Sequence, residues 1–187
     1  MSDGLWSGCS DEELVGLSLA GETGAFGELA RRYRPAIVAL ASRYVGRNAA
    51  AEDVAQDALL LAYRSLGSLR NASRFAAWLH AVARRRATQY LRGDRRVTPH
   101  GDMDPMLMAH AARQRSEVVD GEAYRLLMKA MESLPEEIQT PLRLFYWDEM
   151  PQQRIAAFLD IPLTTVKWRL RVGKQKLRTQ LATWKDG

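Results

Sequence analysis

Apolar residues recur at three- and four-residue steps along most of this chain, and its first half holds no run in which they alternate. That spacing gathers them on one face of a helix, because successive helical residues turn by about 100°. Phe26, Leu29, Tyr33, Ile37, Leu40 and Tyr44 form the clearest series and predict an amphipathic helix over residues 25–44. Ahead of it, Ser10-Asp11-Glu12-Glu13 has the form of a capping box, with acidic residues at the positive end of a helix running to about Ala20. Residues 21–24 then turn the chain. Gly46-Arg47-Asn48 closes the long helix, and Asn48 can cap the next, over residues 49–66. That helix turns Val54, Ala58 and Leu61 inward and leaves Glu52, Asp53, Gln56 and Asp57 polar. After a break at 67–72, Ser73 can start a helix to Arg92 whose core stripe is Phe75, Trp78, Leu79 and Val82.

At Gly93 the pattern collapses. GDRRVTPHGDMDP is rich in Gly, Pro and Asp and reads as a linker extending to about Ser116. Asp102 and Asp104 stand there without the partners a metal ion needs, and Met103, Met106 and Met108 have the adaptable chemistry of a partner-facing tract. Helical spacing resumes with Val119, Ala123, Leu126 and Ala130. Leu134-Pro135 opens another helix, with Glu136 and Glu137 favourable in its first turn and Leu142, Phe145 and Tyr146 further on. Pro141 is expected to kink it, since the carbonyl at position 137 loses its donor.

The last pattern is PQQRIAAFLDIPLTTVKWRLRVGKQKL, residues 151–177. Ile155, Ala156 and Leu159 give a short helix one apolar face, and Asp160-Ile161-Pro162 breaks it. Thr164 or Thr165 can cap a longer helix with the stripe Val166, Leu170, Leu177 and Leu181. Gly173 lies on that stripe, where a missing side chain admits a neighbouring helix. The other faces carry Lys167, Trp168, Arg169, Arg171, Lys174, Lys176 and Arg178. A cationic helix braced by a shorter one is the helix-turn-helix arrangement, whose second helix enters the major groove of DNA.

Charge sharpens this picture through its distribution. Residues 84–96 carry +5 and residues 163–187 carry +6, so the rest of a chain of net charge +5 carries −6. Two separated basic stretches on an otherwise acidic chain point to two contacts with a polyanion, most simply nucleic acid. The first holds Arg84, Arg85, Arg86 and Arg92 beside Tyr90, and arginines bind phosphates while aromatics stack on unpaired bases. Trp78, from its place on the stripe, reads first as a core residue. The single cysteine, Cys9, excludes an internal disulfide and a multi-cysteine zinc site, and His80, His100 and His110 lack metal-ligand spacing, so neither metal nor cofactor is expected. No apolar run approaches the roughly 20 residues of a membrane span, and no export signal is visible at the N-terminus, so a cytoplasmic protein without membrane insertion is expected.

Taken together, four stretches carry a resemblance. They are AFGELARRYRPAIVALASRYVG (25–46), AEDVAQDALLLAYRSL (51–66), FAAWLHAVARRRATQYLR (75–92) and LPEEIQTPLRLFYWDEMPQQRIAAFLDIPLTTVKWRL (134–170). In their order and spacing the chain resembles a bacterial sigma factor of the sigma-70 family, in its extracytoplasmic-function (ECF) group. The resemblance implies an all-α protein of two small helical domains, region 2 at residues 10–95 and region 4 at 119–183, joined by a flexible linker at 96–118. It implies no catalysis: such a factor binds core RNA polymerase, through its β and β′ subunits, and directs it to promoter DNA. Glu52, Asp53, Gln56 and Asp57 would dock on the clamp helices of β′. Trp78, Arg84, Arg85, Arg86, Gln89, Tyr90 and Arg92 would meet the −10 element. Thr164, Thr165, Lys167, Trp168, Arg171, Lys174 and Arg178 would meet the −35 element, the earlier ones nearest the bases and Lys174 and Arg178 nearest phosphates. An anti-sigma factor is a further partner the resemblance admits.

Five positions depart from the family's usual pattern. Arg85 and Gln89 stand where Asn and Asp are common, and Trp168 where a small polar residue is. Pro151 replaces the usual Ser/Thr cap, and Asp160 the usual turn glycine, though Asp tolerates the left-handed conformation. Two other classes of protein compete with this reading. A helix-turn-helix regulator acting without sigma activity needs a sensor domain with strands in the first half. An enzyme acting on nucleic acid needs a carboxylate cluster, a nucleophile–base pair or a Gly-rich phosphate loop, and the sequence has none of these.

Overall fold

Ser10 starts the first helix as its sequence predicts. The N–H of Glu13 donates to Ser10 Oγ at 3.3 Å, and the N–H of Ser10 donates to the Glu13 carboxylate at 2.6 Å. The computed structural model describes residues 5–46, 49–93 and 121–183, so Asn48 and the linker residues Asp102, Asp104, Met103, Met106 and Met108 lie outside the described residues. In chain order the helices are α1 (Asp11–Leu19), α2 (Thr23–Val45), α3 (Ala49–Ser65), α4 (Phe75–Leu91), α5 (Gly121–Glu132), α6 (Glu136–Tyr146), α7 (Gln152–Leu159) and α8 (Leu163–Thr183). No strand occurs among the described residues. The fold is all-α, as expected.

The first four helices form a bundle around α2, which packs against α1, α3 and α4. Leu29, Tyr33 and Ile37 of α2 are buried, as the periodicity requires. On α3 the buried stripe is Ala51, Ala55, Ala58 and Ala62, with Val54 and Leu59 beside it. Leu61, expected inward, is exposed. The reason is the turn of the helix: Ala62, four residues after Ala58, continues the stripe and takes the inward place that Leu61, a residue earlier, leaves. A stripe of alanines also lets α2 and α4 approach α3 closely. The start of α4 differs too. Asn71, not Ser73, receives the capping N–H, and a single 3-10 turn at Ala72–Arg74 precedes the α-helix.

The remaining helices assemble around α8, which packs against α5, α6 and α7. Asp160 sits at φ 53°, ψ 46°, the left-handed conformation its side chain tolerates, and ends α7. Helix α8 begins at Leu163, two or three residues earlier than a Thr cap would allow. The N–H groups of Thr165 and Val166 donate to the Pro162 carbonyl, so Thr164 and Thr165 lie within the first turn. Pro141 is buried within an unbroken α6. Gly173 is buried where α8 crosses α6 at Ile138 and Leu142. A Cβ built there would lie 2.5 Å from Leu142 Cδ1 and 2.7 Å from Ile138 Cγ2, so hydrogen alone fits.

That contact makes a stability prediction. Gly173→Val is expected to destabilise the fold by about 1–3 kcal/mol, because overpacking against the fully buried Leu142 outweighs the fraction of a kcal/mol gained by removing a helical glycine. Thermal denaturation followed by circular dichroism checks it, and an unchanged or raised Tm would remove the close-packing argument.

Candidate nucleic-acid interface

Helix α4 divides its arginines by direction. Arg84 and Arg85 are exposed, and with His80, Ala81, Thr88, Gln89 and Arg92 they line an open groove of about 470 Å³. Among the described residues, three guanidinium groups and no carboxylate line this groove, a lining suited to phosphate oxygens. Positions 81, 84, 85, 88 and 92 recur at the spacing of one helical face, which explains the arrangement. His80, Ala81 and Thr88 belong to it as well, although only Arg84, Arg85, Gln89 and Arg92 of its lining stood out in the sequence. Burial holds the His80 imidazole below its ordinary pKa, and the positive charges of Arg84 and Arg43 act in the same direction against a weaker pull from Asp160.

Arg86 is corrected. It points the other way, is buried, and donates to Asp57 Oδ2 from Nη2 at 2.5 Å and from Nε at 3.1 Å. One position along a helix is a 100° rotation, which carries Arg86 from the groove to the face that α3 covers. Asp57, half-buried like Gln56, accepts both of these hydrogen bonds through Oδ2. Glu52 and Asp53 remain exposed and Gln56 half-buried, with Glu52 2.7 Å from Arg34. Trp78 and Tyr90 are half-buried and packed against the core, Trp78 with its ring centroid 5.9 Å from that of Phe75.

Helix α8 presents a second cationic face. Thr164, Lys167, Arg171, Lys174 and Arg178 are exposed, Thr165 is half-buried, and Val166 and Leu170 are buried against α6 and α7. Trp168 is 50% exposed, on the far side of the helix from Val166 and Leu170 as its spacing predicts. Half of its surface stays in water, open to contact. Arg169 turns back instead, its guanidinium 4.0 Å from Glu137 of α6. Among the described residues no group of three or more His, Cys, Asp or Glu side chains stands close enough to hold a metal ion, and no helix is long and apolar enough to cross a membrane.

Comparison with known proteins bears on both faces. Residues 29–97 match the family described as Sigma-70 region 2, and residues 124–177 the family described as Sigma-70, region 4. The chain is 31% identical over 170 residues to the ECF RNA polymerase sigma-E factor of Escherichia coli (strain K12), covering 86% of this chain and 88% of that one. It is 28% identical over 185 residues to the factor of the same name from Haemophilus influenzae, covering 92% and 95%. Its fold is similar to a solved structure of CnrH in complex with the cytosolic domain of CnrY, with a TM-score of 0.55 and 21% identity, over 92% of this chain and 97% of that one.

The split between Arg86 and its neighbours is testable without any ligand. Arg86→Ala is expected to lower stability by about 1–3 kcal/mol, because it strands the Asp57 carboxylate beside buried surface. Arg84→Ala and Arg85→Ala should leave the melting temperature unchanged. A double-mutant cycle with Asp57→Asn checks the pairing, and strict additivity of Arg86→Ala and Asp57→Asn would refute it.

Proposed function

The chain belongs to the sigma-70 family, in its ECF group, and from that membership we propose how its surfaces divide the work of promoter recognition. A sigma factor binds core RNA polymerase and brings it to promoters. In this chain the −10 element is read by α4, through the groove of Arg84, Arg85, Gln89 and Arg92, and the −35 element by the outer face of α8. The region 2 unit spans residues 10–95 and the region 4 unit 119–183, with 96–118 threading between them. The single observation that supports this assignment is the pair of separate cationic helix faces, one in each unit.

Within α8, the position of each side chain along the helix sets its role. The N-terminal turns of a recognition helix meet base edges and the later turns meet backbone. Thr164, Thr165, Lys167, Trp168 and Arg171 therefore address bases, and Lys174 and Arg178 address phosphates. Trp168 is suited to thymine methyls or a sugar edge. Trp78 and Tyr90, half-buried beside the groove, support melted bases more than they capture them. On α3, Glu52, Asp53, Gln56 and Asp57 form the surface for the β′ subunit, Asp57 also holding Arg86 of α4. The chain supplies recognition and carries out no reaction of its own. An anti-sigma factor completes this reading as a partner able to compete for those same surfaces.

Transcription from a promoter library with core polymerase, with and without this protein, tests the proposal as a whole. For the polymerase surface, Asp53→Arg with Gln56→Ala should weaken co-purification with core while helicity is unchanged; full retention of core would remove that assignment. For α8, Arg171→Ala should change the ranking of −35 sequences, by about 1–3 kcal/mol at the position it reads if its contact is bidentate. Lys174→Ala should weaken all sequences alike. A −35 library ranked identically by wild type, Arg171→Ala and Trp168→Ala would show that another element does the reading.

A further inference from the structure

One row of side chains on α8 points away from everything the helix packs against. Val166, Leu170 and Gly173 are buried on its inner side. At about 100° per residue, the opposite direction is held by Thr164, Trp168, Arg171 and Gln175, all exposed. Lys167, Lys174 and Arg178, also exposed, gather along one flank of that row by the same rotation. In a helix lying along a groove, the flanks run beside phosphates and the outermost row faces the base edges. Trp168 is the large apolar side chain of that row.

A single exposed aromatic is ordinary, so its place and its chemistry carry the argument. Among the described residues, no hydrogen bond or ring contact reaches the Trp168 indole, and half of its surface is in water. An indole has one polar atom, Nε1, and that atom only donates. The floor of a major groove offers acceptors, amino donors and one apolar feature, the C5 methyl of thymine. Carbon edges of the indole laid over an amino group or a carbonyl would remove its water and return no hydrogen bond, which is unfavourable. Laid over the methyl, the same edges bury apolar surface on both partners, which is favourable. A sugar edge lies out with the phosphates, on the side of Lys167 and Lys174 rather than on the row that Trp168 occupies.

We propose that Trp168 reads a 5-methylpyrimidine in the −35 element, its indole seated on the C5 methyl of one base. The contact favours thymine over cytosine at that place, and it favours 5-methylcytosine over cytosine for the same reason, because the added methyl stands at the same point of the major-groove edge. A −35 element with cytosine there is then bound more tightly once that base is methylated at C5. This role rests on α8 being the −35 reader. The helix also fixes where the methyl lies. Arg171 follows Trp168 by three residues, about 4.5 Å along the axis at about 1.5 Å each, against about 3.4 Å per base pair. The methyl therefore lies within about two base pairs of the pair that Arg171 reads.

Removing or adding that methyl alone, with the full chain assembled on core polymerase, tests this. Every base pair holds one pyrimidine, so each −35 position of a preferred promoter is altered in turn, thymine to deoxyuracil or cytosine to 5-methylcytosine. Both changes leave the hydrogen-bonding atoms in place. Competition binding should single out one position at which deoxyuracil weakens binding about fourfold, or 5-methylcytosine strengthens it about fourfold, the effect of burying one methyl-sized group. That position should fall within about two base pairs of the one whose preference Arg171→Ala changes. Trp168→Ala should abolish the methyl effect at unchanged helicity, whereas Trp168→Phe should keep most of it and Arg171→Ala should leave it in place. Methyl changes that are silent at every position, or an effect that survives Trp168→Ala, would overturn the contact. So would an effect lost in Trp168→Phe, since the indole N–H would then be the reading group. Base changes that matter, re-ranked by Arg171→Ala while every methyl is silent, would leave α8 as the reader and remove only the methyl contact. If no −35 change of base or methyl alters binding, reading by α8 falls and the contact with it.

Discussion

Tyr33 is the residue through which the structure is tied together. Its ring is 1% exposed, packs on Phe75 and Phe158 at centroid distances of 5.6 and 5.9 Å, and sends its hydroxyl to Asp11 at 2.5 Å. One side chain thus touches α1, α2, α4 and α7. A buried phenol is stabilising only if its hydroxyl finds a partner, and the Asp11 carboxylate is a charged one. Burial drives the phenol pKa far above its ordinary value, and Asp11 adds to that, so the group stays a hydrogen-bond donor at every pH the protein meets. Asp11 is in turn fixed by Arg32, which also donates to Glu28 and to the carbonyls of Trp6, Ser7 and Cys9. Hydrogen bonds from Arg31 and Arg32 keep the Glu28 carboxyl below its ordinary range despite burial. The buried charges come with their donors satisfied, which is the condition under which such a cluster is tolerated.

From that junction outward, the protein keeps its packing and the faces proposed for recognition on different sides of the same helices. Helix α4 turns Leu79, Ala83 and Ala87 to the bundle, gives Arg86 to α3, and leaves Arg84, Arg85 and Arg92 in water. Helix α8 turns Val166, Leu170 and Gly173 to its neighbours and Lys167, Trp168 and Arg171 outward. Guanidinium groups already committed to carboxylates are poor phosphate ligands, so the count of arginines in a sequence overstates the cation available to DNA. On α4 and α8, Arg86 and Arg169 are so spent.

What the sequence disclosed follows from which constraints are local. Capping at Ser10, the left-handed Asp160 and the need for hydrogen at Gly173 are each settled within a turn or one crossing of helices, and all three were legible. So were the inward Val166 and Leu170, because a stripe on an amphipathic helix has only one apolar side to bury. Leu61 and Arg86 were not. Each depends on how α3 is rotated against its neighbours, and an alanine-rich stripe contrasts too little with a nearby leucine to fix that rotation from sequence. The start of α8 was misplaced because Pro162 supplies its carbonyl to the first turn, a role a search for Ser/Thr caps overlooks. The contact of Phe158 with Tyr33 and His80 joins residues far apart in the chain, and no periodicity encodes it.

The same separation of faces explains how this chain departs from its family's pattern without departing from its fold. Arg85, Trp168, Pro151 and Asp160 are exposed and Gln89 is half-buried. None of the five belongs to the buried core. A substitution at such a place costs little in packing, whereas one at Leu142 or Tyr33 would disturb every helix around it. Arg85, Gln89 and Trp168 also lie on the two faces proposed to meet DNA. Change is therefore cheapest where it alters what is read. A bulky indole in place of a small polar side chain adds contact area and removes hydrogen-bonding capacity at a base edge, so the promoter preferred by this chain should differ from that of relatives with the usual residue there. The scaffold that presents the indole, Val166 and Leu170 beneath it and Gly173 one turn on, requires nothing of Trp168 and so leaves it free to set that preference.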